Sequence, residues 1–296
     1  GREARPAMID RYGHCSVCEG RLLSIDLTAK ELSIIQDEFE RTVVRHLDGL
    51  SKNHDEAENI FRTGTPQGLR GKSHIAKFKA WMEKSGGFDF IIDGANVGWY
   101  GGLMRQDAKR HRGQWHLRFD QIDQMVQRLK PHGKILIVLH SQHLRTDKLP
   151  PQFQQMVQRW LIDGMVYATP AGMNDDWFWL YAAIMTSIGG KHPYIISNDS
   201  MSDHHSALCV LAQSVTHQHK LFLKWRERHW VTYDFLESYK RRKTGNVPSG
   251  ELQLFFPASY SLCIQRGVAG ERGRPDGEQG EWADSVHVPV RDQTGA

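Results

Sequence analysis

The stretch FDFIIDGANVG, residues 88–98, decides how the rest of the chain is read. A short apolar run that ends in a carboxylate and meets small residues reads as a buried strand entering a turn. Its apolar residues are continuous rather than alternating, as expected for a parallel strand covered on both faces. Toward the C-terminus the pattern recurs. KILIVLH (134–140), MVYATP (165–170) and PYIISND (193–199) read as strands, and WVTYDF (230–235) as an edge strand. Helical periods fall between them, in FDQIDQMVQRLK (119–130), PPQFQQMVQRWLI (150–162), about 174–187 and about 202–217. This alternation predicts an α/β fold, a parallel sheet flanked by helices.

Toward the N-terminus, residues 72–85 and 28–49 read as helices joined by a polar connection, 50–70. Residues 10–27 read as a hairpin-like piece with CSVC at its turn. Beyond 244 the texture changes. GELQLFFPASYSLCIQ is strand-like, 267–285 is Gly-rich and charged, and VHVPV (286–290) is a last short strand.

Apolar content of 40% and charged content of 24% are those of a globular chain. No apolar run approaches the roughly 20 residues a bilayer span requires, so no membrane association is expected. The first residues carry no signal-peptide apolar stretch. The net charge is +4, with a pI near 8.8. Basic runs at KRHR (109–112), KWRERHW (224–230) and KRRK (240–243) permit a polyanionic partner. Four cysteines are too few for a disulfide framework. Cys209, in HSALCVLA, reads as a packing residue.

Open α/β sheets bind ligands at the carboxyl ends of their strands, and acids collect there. Asp93 ends the first strand, Asp175 and Asp176 open the helix after MVYATP, and Asp199 ends PYIISND with Asp203 shortly after. Helix capping by Asn174 and the helix dipole would account for Asp175 and Asp176 alone. Several carboxylates converging on one edge repel strongly. A hard divalent cation relieves this, and Mg²⁺ characteristically takes a few carboxylates plus water and phosphate oxygens. Two ions about 4 Å apart would activate a water and stabilise the leaving oxygen of a phosphodiester. The small residues of GANVG would let backbone approach a phosphate, and Asn96 would hold a water or an acid in place. The run is neither GxGxxG nor a P-loop.

Three motifs in this order, FDFIIDGANVGWY (88–100), GMNDDWFWLYAA (172–183) and ISNDSMSDHH (196–205), carry a specific resemblance. With CSVC near one end and HVPV near the other, they resemble the protein-only RNase P family from about Arg11 to Val290. The resemblance implies a PIN-like NYN metallonuclease, Rossmann-like in its sheet. It also implies a small, mostly β, zinc-stabilised central domain built from the two chain ends. It implies removal of the 5′ leader of precursor tRNA with Mg²⁺, for which Mn²⁺ can substitute, leaving a 5′-phosphate on the tRNA. Its catalytic, metal-holding aspartates fall on Asp93, Asp175, Asp176 and Asp199, with Asn96, Asp203 and His204 supporting. Domains are expected at 1–27 with 245–296 (zinc-binding), 28–85 (helical connection) and 86–244 (nuclease). The family's pentatricopeptide-repeat domain has no counterpart before Cys15, so a central-plus-catalytic portion, or a member with another RNA-binding device, is expected. Lys109, Arg110, Arg112 and Arg226 are the expected RNA contacts.

A lone CxxC supplies two of the four ligands of a structural zinc. The resemblance adds His287 to Cys15 and Cys18. The family's final cysteine has no match here, so the fourth ligand is open, with Cys263 and His14 as candidates. The expected partner is precursor tRNA, the protein monomeric, with accessory subunits allowed. The family's compartments are mitochondrion, plastid or nucleus, and the mitochondrion is favoured. The alternatives are a PIN-like nuclease acting on another RNA, and a non-catalytic tRNA-binding scaffold. The full set of acids argues against the scaffold, since buried like charges are costly without a use.

Overall fold

The structure, a computed structural model, describes residues 6–10, 12–17, 20–49, 67–101, 117–147, 149–170, 173–201, 215–236, 251–261, 265–266 and 286–287. Helices α1 (Ala29–Gly49) and α2 (Gln67–Ser85) precede strand β1 (Phe90–Asp93) and the short helix α3 (Gly94–Trp99). Then come α4 (Phe119–Leu129), β2 (Ile135–His140), α5 (Pro151–Ile162), β3 (Val166–Thr169), α6 (Asp176–Ile188) and β4 (Tyr194–Ile196). Helix α7 (Val215–His229) runs directly into β5 (Trp230–Leu236), followed by β6 (Glu251–Phe255). β7 (Gln265–Arg266) and β8 (Val286–His287) form a separate antiparallel pair. The predicted helix at 202–217 lies mostly outside the described residues, as do Asp203, His204, Lys109, Arg110, Arg112, Cys18 and Cys263.

The six-stranded sheet has the order β3-β2-β1-β4-β5-β6. Its first five strands are parallel, and β6 adds antiparallel to β5. WVTYDF is therefore no edge strand. It is paired on both sides, because residues 251–255 fold back beside it. The same pairing places Glu251–Phe255 in the main sheet, although it lies in the span expected for the zinc-binding unit.

Strand side chains alternate between two cores, as the two-residue period dictates. Ile91, Leu136, Val138 and Ile195 face a layer formed by α1, α2, α6 and α7. Phe90, Ile92, Ile135, Ile137, Leu139 and Ile196 face α3, α4 and α5. Thr28 and Glu31 form a capping box at the start of α1, with the Thr28 N–H donating to Glu31 Oε2 (2.7 Å) and the Glu31 N–H to Thr28 Oγ1 (3.3 Å). Helix α6 is buried from Trp177 to Ile184, because α1 and α2 cover its outer side. Phe39 stacks on Tyr181 at 5.2 Å, and Phe78 meets Phe178 at 5.2 Å.

The N-terminal hairpin is present as bridges between Ile9 and Cys15 and between His14 and Arg21. It joins the later chain through a Ser24–Tyr260 bridge and backbone bonds from Ile25 N to Ser259 O and from Ser261 N to Leu23 O. No helix among the described residues is long and apolar enough to cross a membrane.

Candidate active site

Strand order reverses direction between β1 and β4, the switch point at which open α/β sheets form their crevice. Asp93 sits there, 3% exposed. Its Oδ1 accepts the Asn96 backbone N–H (2.9 Å), and its Oδ2 accepts the Ser197 hydroxyl (2.9 Å). The first bond caps α3, so GANVG is a short helix rather than an open loop. Its glycines are required by close packing. A Cβ on Gly94 would lie 2.6 Å from Leu139 Cγ, and one on Gly98 would lie 2.5 Å from Leu117 Cγ.

Burial pushes Asp93 up to about 8, with the charges of Asp176 and Asp175 adding to the effect. Asp175 is pushed up to about 6, by burial first and then by Asp176. The structure thus brings three of the predicted carboxylates into one electrostatic group. Asn174 turns the chain into α6 by accepting the Asp176 N–H at 2.9 Å. The Trp179 indole N–H donates to Asp176 Oδ1 at 3.2 Å. The aromatics of this helix therefore fasten one carboxylate as well as fill the core.

Asp199 joins the group through Ser197, whose Oγ accepts the Asp199 N–H (3.1 Å) while its hydroxyl proton goes to Asp93. Asp199 Oδ1 accepts the Met201 N–H at 2.9 Å. Met201 is fully buried in a left-handed conformation, φ 53°. That conformation costs a non-glycine residue about 1–2 kcal/mol, so this turn is held by its contacts. Arg226 contributes by donating from Nη1 to Ser200 O at 2.7 Å.

Asn96 is more tightly placed than its sequence context indicates. Its Oδ1 accepts the Asn198 N–H (2.9 Å) and the Tyr233 hydroxyl (2.6 Å). Burial, aided by Asp93, pushes the Tyr233 phenol up, which keeps it a donor. Ser197, Asn198 and Tyr233 were not singled out by sequence reasoning. Ser197 and Asn198 stood beside a predicted ligand, whereas Tyr233 lay in a strand with no local signal of its role.

Among the described residues, no group of three or more His, Cys, Asp or Glu side chains is arranged to hold a metal ion. The all-oxygen, like-charged donor set fits a hard divalent ion that completes its shell with water and substrate oxygens. Of the predicted zinc ligands, Cys15 is buried, and His287 lies in β8. The His14 ring pairs with Asp10 at 3.1 Å.

A family profile described as "Protein-only RNase P" matches residues 9–271. The chain belongs to the protein-only RNase P family. Among its relatives, Proteinaceous RNase P 2 of Arabidopsis thaliana is 27% identical over 286 residues, covering 95% of this chain and 42% of that protein. The mitochondrial ribonuclease P catalytic subunit of Rattus norvegicus is 25% identical over 233 residues, 78% of this chain and 33% of that protein. A crystal structure of nuclear proteinaceous RNase P 2 from A. thaliana superimposes with a TM-score of 0.60 at 25% identity, covering 89% of this chain and 44% of that chain. The chain spans less than half the length of these protein-only RNase P relatives.

Proposed function

We propose that this chain is the catalytic portion of a metal-dependent endoribonuclease that removes the 5′ leader of precursor tRNA and leaves a 5′-phosphate on the tRNA. The observation that carries this reading is Asp93, a carboxyl sealed at the sheet's switch point and pushed up to about 8 by burial and by Asp176 and Asp175. Membership of the family supports the choice of RNA.

Asp93, Asp175, Asp176 and Asp199 would hold Mg²⁺, with Mn²⁺ able to take its place. When bound, such ions supply an activated water and neutralise the charge that develops at the scissile phosphate. The chain's own groups set the geometry. Ser197 and the Asn96 N–H fix the two oxygens of Asp93. The Asn96 carbonyl oxygen is committed to Asn198 and Tyr233, so its amide N–H groups are what it offers to a water or a phosphate oxygen. The sheet and the buried body of α6 exclude solvent from beneath the carboxylates.

Asp203 and His204 are assigned supporting roles on the motif they share with Asp199. Lys109, Arg110, Arg112 and Arg226 are assigned to the RNA backbone. Arg226 would act partly through the turn that carries Asp199, given its bond to Ser200 O. A structural Zn²⁺ on Cys15, Cys18 and His287 would tie the two chain ends together, beside the backbone bonds that already link residues 23–25 to 259–261. The domain limits are proposed as read from the sequence, except that residues 251–255 go with the nuclease sheet. Action as a monomer in mitochondrion, plastid or nucleus completes the proposal.

The test is cleavage of a leader-bearing precursor tRNA with Mg²⁺, beside the double variant Asp175→Ala/Asp176→Ala. A single cut at the mature 5′ end, absent from the variant, is expected. Failure to cut any precursor while another RNA is cut would replace the substrate assignment.

A further inference from the structure

Trp99 ends α3, one helical turn beyond Asn96. Gly94, Val97 and Gly98 form the buried side of that helix, which leaves Ala95, Asn96 and Trp99 on the side away from the core. Residues three apart lie on the same side of a helix, so Trp99 follows, by one turn, the asparagine that braces the site. It is 40% exposed, whereas Trp160, Trp177, Trp179 and Trp225 are each 5% exposed or less.

The indole is not loose. His143 meets it edge-to-face, with ring centroids 6.1 Å apart at 71°. His140 meets His143 in turn at 6.4 Å and 78°. The His140 ring accepts the Gln142 N–H at 3.2 Å, and Gln142 Nε2 lies 3.4 Å from His143 Nε2. Burial holds His140 below its ordinary value, which favours the neutral ring. His140 is the last residue of β2, two positions past Val138, the register partner of Asp93. His140 and the rings that meet it therefore lie at the carboxyl edge of the sheet, on the side of β2, the strand that pairs with the one Asp93 ends.

A single exposed apolar side chain is ordinary. An indole braced by an imidazole, itself backed by a second, at the carboxyl edge of the sheet has a more specific use. We propose that Trp99, braced by His143 with His140 behind it, is a stacking shelf for the unpaired leader nucleobase next to the scissile phosphate. Bases in the acceptor stem are paired and stacked on one another, whereas an unpaired base is free to stack on an aromatic ring. The proposal rests on the precursor-tRNA reading, and two arms separate them.

In the first arm, single-turnover cleavage of a leader-bearing precursor is followed against enzyme concentration. Trp99→Ala should raise the half-saturating concentration about five-fold or more with the plateau rate within about two-fold, the scale of one base-on-aromatic stack. Trp99→Phe should restore most of the loss. An abasic residue at the leader position should weaken the wild type by a similar factor and leave Trp99→Ala no weaker than before. A Trp99→Ala protein that matches the wild type, or that loses as much again on the abasic RNA, overturns the shelf. In the second arm, an unstructured oligoribonucleotide is titrated while intrinsic fluorescence is read in the wild type and in Trp99→Phe. Quenching that depends on Trp99 is expected, and equal quenching overturns the shelf whatever the substrate. Trp99-dependent quenching with no cut in any precursor keeps the shelf and overturns the tRNA reading.

Discussion

Asp26 and Asp93 are both drawn partly or wholly out of water, and they move in opposite directions. At Asp26, burial acts to raise the carboxyl, but hydrogen bonds from Ser24 and Arg228 and the Arg228 charge overcome it and leave the group below its ordinary value. The Arg228 bond is 2.6 Å and fastens the N-terminal segment to the end of α7. At Asp93, burial acts in the same sense, and the charges added nearby are Asp176 and Asp175, which push it further up. Glu40 follows Asp26, since Tyr181, Gln36 and Lys79 outweigh its burial. Where the fold needs an acid only for attachment it provides a partner. At the switch point it assembles like charges, at a cost to stability that a functional site can justify.

That contrast can be sharpened by experiment. The largest effect after loss of the carboxylates themselves is expected for Ser197→Ala, which removes the hydroxyl that orients Asp93 and meets Asp199. Loss of such a supporting group typically costs about 10–100-fold in metal affinity or activity, and the melting temperature should change little by comparison. Metal titrations at fixed protein concentration would measure it.

The second expectation concerns pH. Asp93 is raised to about 8 and Asp175 to about 6, so the metal-free folded protein retains protons that the unfolded chain has released. Its stability therefore falls as pH rises from the ordinary carboxylate range toward 8. Metal binding must displace those protons, so affinity rises over the same window. The rise in melting temperature caused by Mg²⁺ or Mn²⁺ should be larger at pH 8 than at pH 6. A rise independent of pH would break the contrast with Asp26.

The smallest effect belongs to the satisfied pair. Arg228→Met should cost about 1 kcal/mol or less, because Asp26 remains partly exposed and can be rehydrated. Asp26 lies below its ordinary value, so its contribution is present above that value and lost as pH falls through it. The variant should therefore differ from the wild type at neutral pH and converge with it in acid. Denaturant melts at the two pH values would show this, with activity unchanged.

Much of this was legible in the sequence. Continuous apolar runs at 88–93 and 134–140 announced parallel strands, and their carboxyl ends announced the acids. The aromatic stripe after Asp176 announced a buried helix. What was not legible depended on strand order. Ser197 reaches Asp93 because β4 returns beside β1, and Tyr233 reaches Asn96 because β5 lies next to β4. No local pattern encodes those adjacencies. GANVG misled for a related reason, since two glycines argue against a helix by propensity. The close approach of Leu139 and Leu117 requires them, and the Asp93 cap secures the turn.

The most direct measurement is to pair stability with activity in one variant, Asp93→Asn. The amide can still accept the Asn96 N–H and meet Ser197, while the charge that crowds Asp175 and Asp176 is gone. In metal-free buffer at pH 8 the variant should melt higher than the wild type. With Mg²⁺ it should cleave leader-bearing precursor tRNA at least about 100-fold more slowly, the scale on which one preorganised electrostatic group contributes to catalysis. A variant that cleaves like the wild type, or that melts lower without metal, would contradict the claim that these carboxylates are gathered for a cation.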